Sequence, residues 1–184
     1  MNRLIAILFL IGLFSCKKQV DKHFLITSHQ VGVITDSTAV YQLDRLFAND
    51  SIVARLEEGD FVEAINDSYY IYTKTGKLRL IAIAKTQGDS TSSFKKVIIF
   101  DSNYKTLKGL NNLSYYVDLK KDSAIYKIKT LVDRNVLLTF DTIPLNMLYD
   151  KKSLAAGWEN SASVKAQSVL KDSLQASSFF VVWE

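Results

Sequence analysis

The stretch from Ser51 to Thr86 narrows the choice of fold more than any other part of this chain. Apolar-rich runs at 51–57, 60–66, 69–74 and 77–86 are set apart only by Glu58-Gly59, Asn66-Asp67 and Thr75-Gly76. Within 69–74, Tyr69, Ile71 and Thr73 fall on one side and Tyr70, Tyr72 and Lys74 on the other, which is the two-residue period of a strand. Such brief polar connections close a hairpin but are far too short for a crossover, so neighbouring strands must pair antiparallel. The chain is thereby committed to a meander, and any helix has to pack against it from a face.

Upstream, Phe24–Ile34 reads as strand broken once near Ser28–Gln30. Asp36 or Ser37 is placed to cap a helix over about 38–48, where Val40, Leu43 and Phe47 recur at helical spacing. Gln87–Ser93 is the most polar stretch and reads as a flexible joint near the middle of the chain. Beyond it come a strand at Phe94–Phe100 and a helix at Asn112–Lys121 with Leu113, Tyr116, Val117 and Lys120 on one side. A hairpin of 123–131 with 136–141 follows, turned by Asp133-Arg134-Asn135. Leu145–Tyr149 reads as strand, Lys151–Ala156 as a helical turn, Val164–Asp172 as a short helix and Ser178–Trp183 as the last strand.

The expected class is α+β, an antiparallel sheet meander with helices on one face, forming a single domain over 23–184. Helix followed by strands occurs twice, at Thr38–Asp50 with its meander and at Leu113–Asp122 with its hairpin. Duplication, with halves 23–86 and 94–184, and coincidence both account for this. Read as duplication, the arrangement resembles the tandem helix-plus-sheet modules of β-lactamase-inhibitor-like proteins, a likeness of architecture that does not imply an activity.

Of the 184 residues 48% are hydrophobic and 23% charged, enough apolar surface to build a sizeable core. The formal charge of +4 is spread along the chain rather than gathered into a stripe, so nucleic acid is not an expected partner. Cys16 is the only cysteine, which excludes an internal disulfide, and Pro144 is the only proline.

Residues 1–15 have the layout of a secretory leader: Asn2 and Arg3, then an apolar run from Leu4 to Phe14 that is too short to span a bilayer and meets Lys17 and Lys18 directly after Cys16. Leu13-Phe14-Ser15-Cys16 resembles the lipobox of bacterial lipoproteins, with Phe14 where a smaller residue is usual. The resemblance implies cleavage before Cys16, a diacylglyceryl thioether on its sulfur and an acyl chain on its amino group. Two or three long chains hold a folded domain on a membrane where a single chain does not. Residues 16–22 then form a lipidated tether. Lys17, in place of an acidic residue that in some bacteria retains lipoproteins at the inner membrane, favours an outer-membrane location facing the periplasm.

No pattern in the mature chain carries catalysis. His23 and His29 stand apart from any metal-ligand spacing, no Gly-rich phosphate loop is present, and no cofactor or metal is expected. Asp60, Asp67, Asp101 and Asp141 fall at strand ends, where aspartate commonly helps a turn; two of them in one cleft would support an envelope hydrolase. A concave sheet lined by Phe61, Ile81 and Phe140 would instead suit a carrier or sensor of a small apolar ligand. The first expectation is a membrane-anchored protein-binding or structural module of the cell envelope. Its expected face combines Tyr70 and Tyr72 with the cationic Lys127 and Lys129, and with Arg79, since tyrosine supplies large contact area at little entropy loss. Cross-strand pairs stabilising a solvated sheet are the alternative account of the same residues.

Overall fold

The alternating runs build the centre of the molecule, as the computed structural model shows for residues 20–57, 66–121, 126–131, 135–154 and 170–183. Cys16, the leader at 1–15, Asp133 and Arg134 of the expected hairpin turn, and 164–169 of the helix expected over Val164–Asp172 lie outside these described residues, and Leu170–Asp172 are not helical. Three two-residue strands come first, β1 (Leu25–Ile26), β2 (Gln30–Val31) and β3 (Ile34–Thr35), so the broken strand expected over 24–34 is broken twice. A turn of 3-10 helix (Val40–Gln42) leads into helix α1 (Leu43–Leu46), shorter than expected. Neither Asp36 nor Ser37 caps it; the Ala39 N–H donates to the Gln42 side-chain oxygen at 2.9 Å. Strands β4 (Ser51–Glu57), β5 (Asn66–Tyr72), β6 (Leu78–Ala84) and β7 (Phe94–Ile99) form the first meander. Then come β8 (Lys105–Thr106) and helix α2 (Tyr116–Lys121), and a second meander of β9 (Tyr126–Thr130), β10 (Val136–Phe140), β11 (Leu145–Tyr149) and β12 (Ser178–Val182).

The two meanders make one eight-stranded sheet in the order β4-β5-β6-β7-β12-β11-β10-β9, in which every neighbouring pair is antiparallel. Their last strands meet at the centre, Phe180 opposite Ile98 and Val181 opposite Val97. A second sheet, β3-β2-β1-β8, is small and contains the one parallel pair among the described strands, β1 with β8. The fold is mainly antiparallel strand with a few short helices.

Two local expectations need correction. Asn66-Asp67 is no turn: the two residues open β5, paired with Glu57 and Leu56, so the β4–β5 connection lies earlier, in 58–65, outside the described residues together with most of the run expected at 60–66. Gln87–Ser93 is no flexible joint between halves but the link between the adjacent strands β6 and β7. Its polar side chains close it upon itself and onto its neighbours. The Gly88 N–H donates to Asp67 at 2.7 Å, the Thr86 N–H donates to Ser92 Oγ at 3.0 Å, and the Tyr41 N–H donates to the Ser90 carbonyl at 2.9 Å. Bonds from the Thr91 hydroxyl and amide hold the Asp89 carboxyl below its ordinary value.

One face of the large sheet carries the core. Ile71, Leu80, Ala82, Val97, Val181, Met147, Leu138 and Val136 alternate into it from successive strands and are all fully buried. Ile26, Val31 and Ile34 from the small sheet, Leu43 and Phe47 from α1 and its end, and Tyr116 and Leu119 from α2 close over them. Each such side chain contributes about 1.5 to 3 kcal/mol relative to exposure. The residue after β12 is tied to the β1–β2 turn, where Trp183 Nε1 donates to the Ser28 carbonyl at 3.0 Å.

Candidate recognition face

The opposite face of the sheet is also apolar in part, because β5, β6, β7 and β12 carry large side chains on both sides. Register brings one residue from each of the eight strands into a continuous row: Val53, Tyr70, Ile81, Ile98, Phe180, Asn146, Thr139 and Lys127. The row grades from aliphatic and aromatic to polar and then cationic. Ile81 and Phe180 are buried yet stand outside the main core cluster, while Val53 is 42% exposed. Lys96, beside this row, holds its ammonium 4.1 Å from the Phe180 ring centroid.

Tyr70 and Tyr72 share this face, half-buried, with rings stacked 6.5 Å apart and the Arg55 guanidinium 4.6 Å from the Tyr70 centroid. Lys127 and Lys129 are exposed on the same face, opposite Thr139 and Leu137, and Lys127 pairs with Asp141 at 3.5 Å. The two pairs are not neighbours. Six strand steps of about 4.8 Å separate β5 from β9, so the tyrosines and lysines mark opposite ends of the face, roughly 29 Å apart. The nearer cationic groups are Arg55 and Lys96. Only the strand order reveals them.

Arg79 does not belong to this face. The register shifts between Ile71 and Tyr72, which pair with Leu80 and Leu78, so Arg79 is the extra residue of a bulge and is turned away. Its guanidinium donates to Asp50 at 2.6 Å and lies 3.4 Å from Asp101, with the Phe24 and Tyr104 rings within 5.7 Å. All three charged side chains are nearly buried, and Asp50 and Arg79 form one wall of a cavity of about 260 Å³ that His23, Arg45, Asn49 and Tyr104 also line.

Burial pushes the Tyr104 hydroxyl up to about 12, the nearby Arg79 charge opposing the shift and the Asp101 and Asp50 carboxylates adding to it. A folded-state value above the unfolded one means the folded protein holds the proton more tightly. The associated stability is complete below about pH 10 and lost as pH rises towards 12. Ultraviolet titration of the native protein should show a tyrosine ionising only as the fold opens, and Tyr104→Phe should remove that late step. An unchanged titration in the variant would contradict the assignment.

The residues behind the other two readings are not gathered into sites. Ile81 and Phe140 lie on opposite faces of the sheet, and Phe61 is outside the described residues; Phe140 instead helps line an apolar cavity of about 180 Å³ with Ile26, Leu110 and Ile143. Asp101 sits at Arg79, Asp67 at Gly88 and Asp141 at Lys127, each pair separated by roughly 14 Å or more at ordinary strand spacings, beyond the range of a two-carboxylate hydrolase. Asp60 is outside the described residues. His29 pairs with Asp36 at 2.7 Å, and His23 lines the cavity beside Arg79.

No protein-family model matches this chain, and no curated protein matches it. Among solved structures, that of the uncharacterized protein yfeY from Escherichia coli is similar over 86% of this chain and 99% of its own, with 12% sequence identity and a TM-score of 0.58. At that identity the likeness is one of fold, and the mainly antiparallel architecture is what this chain shares with it.

Proposed function

We propose that this chain is a lipid-anchored module of the bacterial cell envelope, held through Cys16 at the outer membrane facing the periplasm, and that it binds a protein partner through the second face of its sheet. The observation that carries the reading is the cross-strand row from Val53 to Lys127, outside the main core, in which exposed Val53 and half-buried Tyr70 and Ile98 flank the buried Ile81 and Phe180, with cationic side chains beside and beyond it. Tyrosine and arginine, here Tyr70 and Arg55, are among the side chains that concentrate binding energy at protein interfaces. The finer architecture belongs to the same proposal. Each four-stranded meander follows a short helix, α1 before β4 and α2 before β9, as two helix-plus-sheet repeats would require. Since β7 pairs with β6, the repeat boundary falls after Ile99 rather than within 87–93.

The test is crosslinked capture from intact envelopes with the native chain and a Tyr70→Ala/Tyr72→Ala variant. Both rings sit outside the main core, so the variant should keep all but about 2 kcal/mol of unfolding free energy. The same substitution should abolish specific capture. A partner retained equally by both forms would remove this face from the proposal.

A further inference from the structure

The chain leading back towards Cys16 leaves the folded body at Asp21–Phe24, and that end of the molecule is lined with cations. The Phe24 ring packs edge-on to Tyr104 at 5.2 Å and lies 5.5 Å from the Arg79 guanidinium. Arg79 reaches Asp50, and Asn49 beside it accepts from Lys74 Nζ at 3.2 Å, which brings the β5–β6 hairpin tip to the point where the chain emerges. Lys74 and Lys77 are both exposed on that tip, and no acidic residue lies within 73–77. Arg45 is exposed and lines the 260 Å³ cavity together with Asn49, the partner of Lys74, and with His23, next in sequence to the exposed Lys22. Of the acids here, Asp50 and Asp101 face Arg79, while Asp21, which accepts from the His23 N–H at 2.9 Å, and Asp44 on α1 are exposed, so the four cations outnumber the two exposed carboxylates.

We infer that this end is the membrane-facing end, and that Lys22, Arg45, Lys74 and Lys77 contact the phosphate groups of anionic lipids. The inference rests on the anchor at Cys16, because a tether of about six residues spans at most roughly 20 Å and keeps this end, rather than the far edge at β9, within reach of the headgroups. A lysine close to an anionic bilayer contributes about a factor of five in surface affinity, so the hairpin tip alone accounts for roughly 25-fold. The contact fixes the orientation of the sheet: β5 and β6 stand with one end at the membrane, and the second face looks sideways into the periplasm where a partner can reach it.

The experiment is amide hydrogen exchange on the full processed chain, purified from membranes and placed in lipid nanodiscs containing either phosphatidylglycerol or only phosphatidylcholine. Residues 21–24 and 73–77 should exchange about fivefold or more slowly with phosphatidylglycerol, and Lys74→Glu/Lys77→Glu should remove that difference while leaving exchange in the core of β6 unchanged. Equal exchange in the two lipids would overturn the inference. So would equal protection by soluble glycerol phosphate in phosphatidylcholine discs, which would assign the site to a free phosphate ester. The intact mass of the same preparation reports acylation at Cys16 separately, so an unacylated chain still protected by phosphatidylglycerol would sink the anchor and leave the headgroup contact standing.

Discussion

Replacing Arg79 with leucine is expected to lower the unfolding free energy by about 3 to 5 kcal/mol. The side chains of Arg79, Asp50 and Asp101 are only 15%, 12% and 9% exposed, so removing the guanidinium leaves two carboxylates with little water to replace it. An unpaired buried charge is far more unfavourable than the intact pair is favourable, because desolvation has already been incurred on folding. The location enlarges the effect. Asp50 follows α1, Arg79 begins β6 and Asp101 follows β7, so one side chain joins three segments over which Phe24 and Tyr104 then pack. Adding Asp50→Asn to Arg79→Leu should recover part of the loss, since the neutral amide is less costly to strand. Denaturant unfolding of the wild type, both single variants and the double variant measures this coupling. A loss below about 1 kcal/mol in Arg79→Leu would mean that water in the adjoining cavity solvates the carboxylates, and the cluster would then be a surface feature.

A second large effect is expected at Gly32, where alanine should destabilise the protein by roughly 2 to 5 kcal/mol. The backbone there has φ +60, and a methyl group would stand 2.5 Å from the His23 carbonyl oxygen and 2.6 Å from Tyr104 Cε1. The nearer neighbour is backbone and cannot give way cheaply. The His23 carbonyl is part of the 3-10 turn before β1, and the Tyr104 ring is 1% exposed beneath Phe24. Gly76 is the control: its φ is +79, but nothing lies within 4 Å of the added methyl, so alanine there should cost only the conformational part, about 1 to 2 kcal/mol. Equal losses at the two positions in thermal or denaturant unfolding would show that Tyr104 yields, and the tight seating of the small sheet against the Arg79 cluster would be wrong.

Both effects concern residues whose roles were hidden at the level of sequence. Arg79 was grouped with Tyr70 and Tyr72 as an outward cation, and only the register shift opposite Ile71 and Tyr72 turns it inward. Bulges depend on how two strands meet, and one strand alone carries no mark of them. Gln87–Ser93 was misread for a related reason. Polarity there reads as a flexible joint, whereas the Asp89, Thr91 and Ser92 side chains bond to one another and to neighbouring amides. The candidate face was legible by half: alternation separated Tyr70 and Tyr72 from Tyr69 and Ile71, and Lys127 and Lys129 from Ile128. That Arg55 and Lys96 lie nearer the tyrosine end than Lys127, which is six strands away, required the strand order.

Local periodicity and connection length thus determined that this chain forms antiparallel hairpins and which side chains share a side of each strand, because both follow from the two-residue pleat and the reach of a tight turn. Tertiary structure decided which side became the core. In β5 and β6 the two sides are comparably apolar, Tyr69, Ile71, Leu80 and Ala82 against Tyr70, Tyr72, Ile81 and Ile83, so the strands themselves hold no preference. The choice came from what was available to cover them. The small sheet, α1, α2 and Trp183 pack on one side only, and the union of β7 with β12 extended the other into a single surface running from Val53 to Lys127.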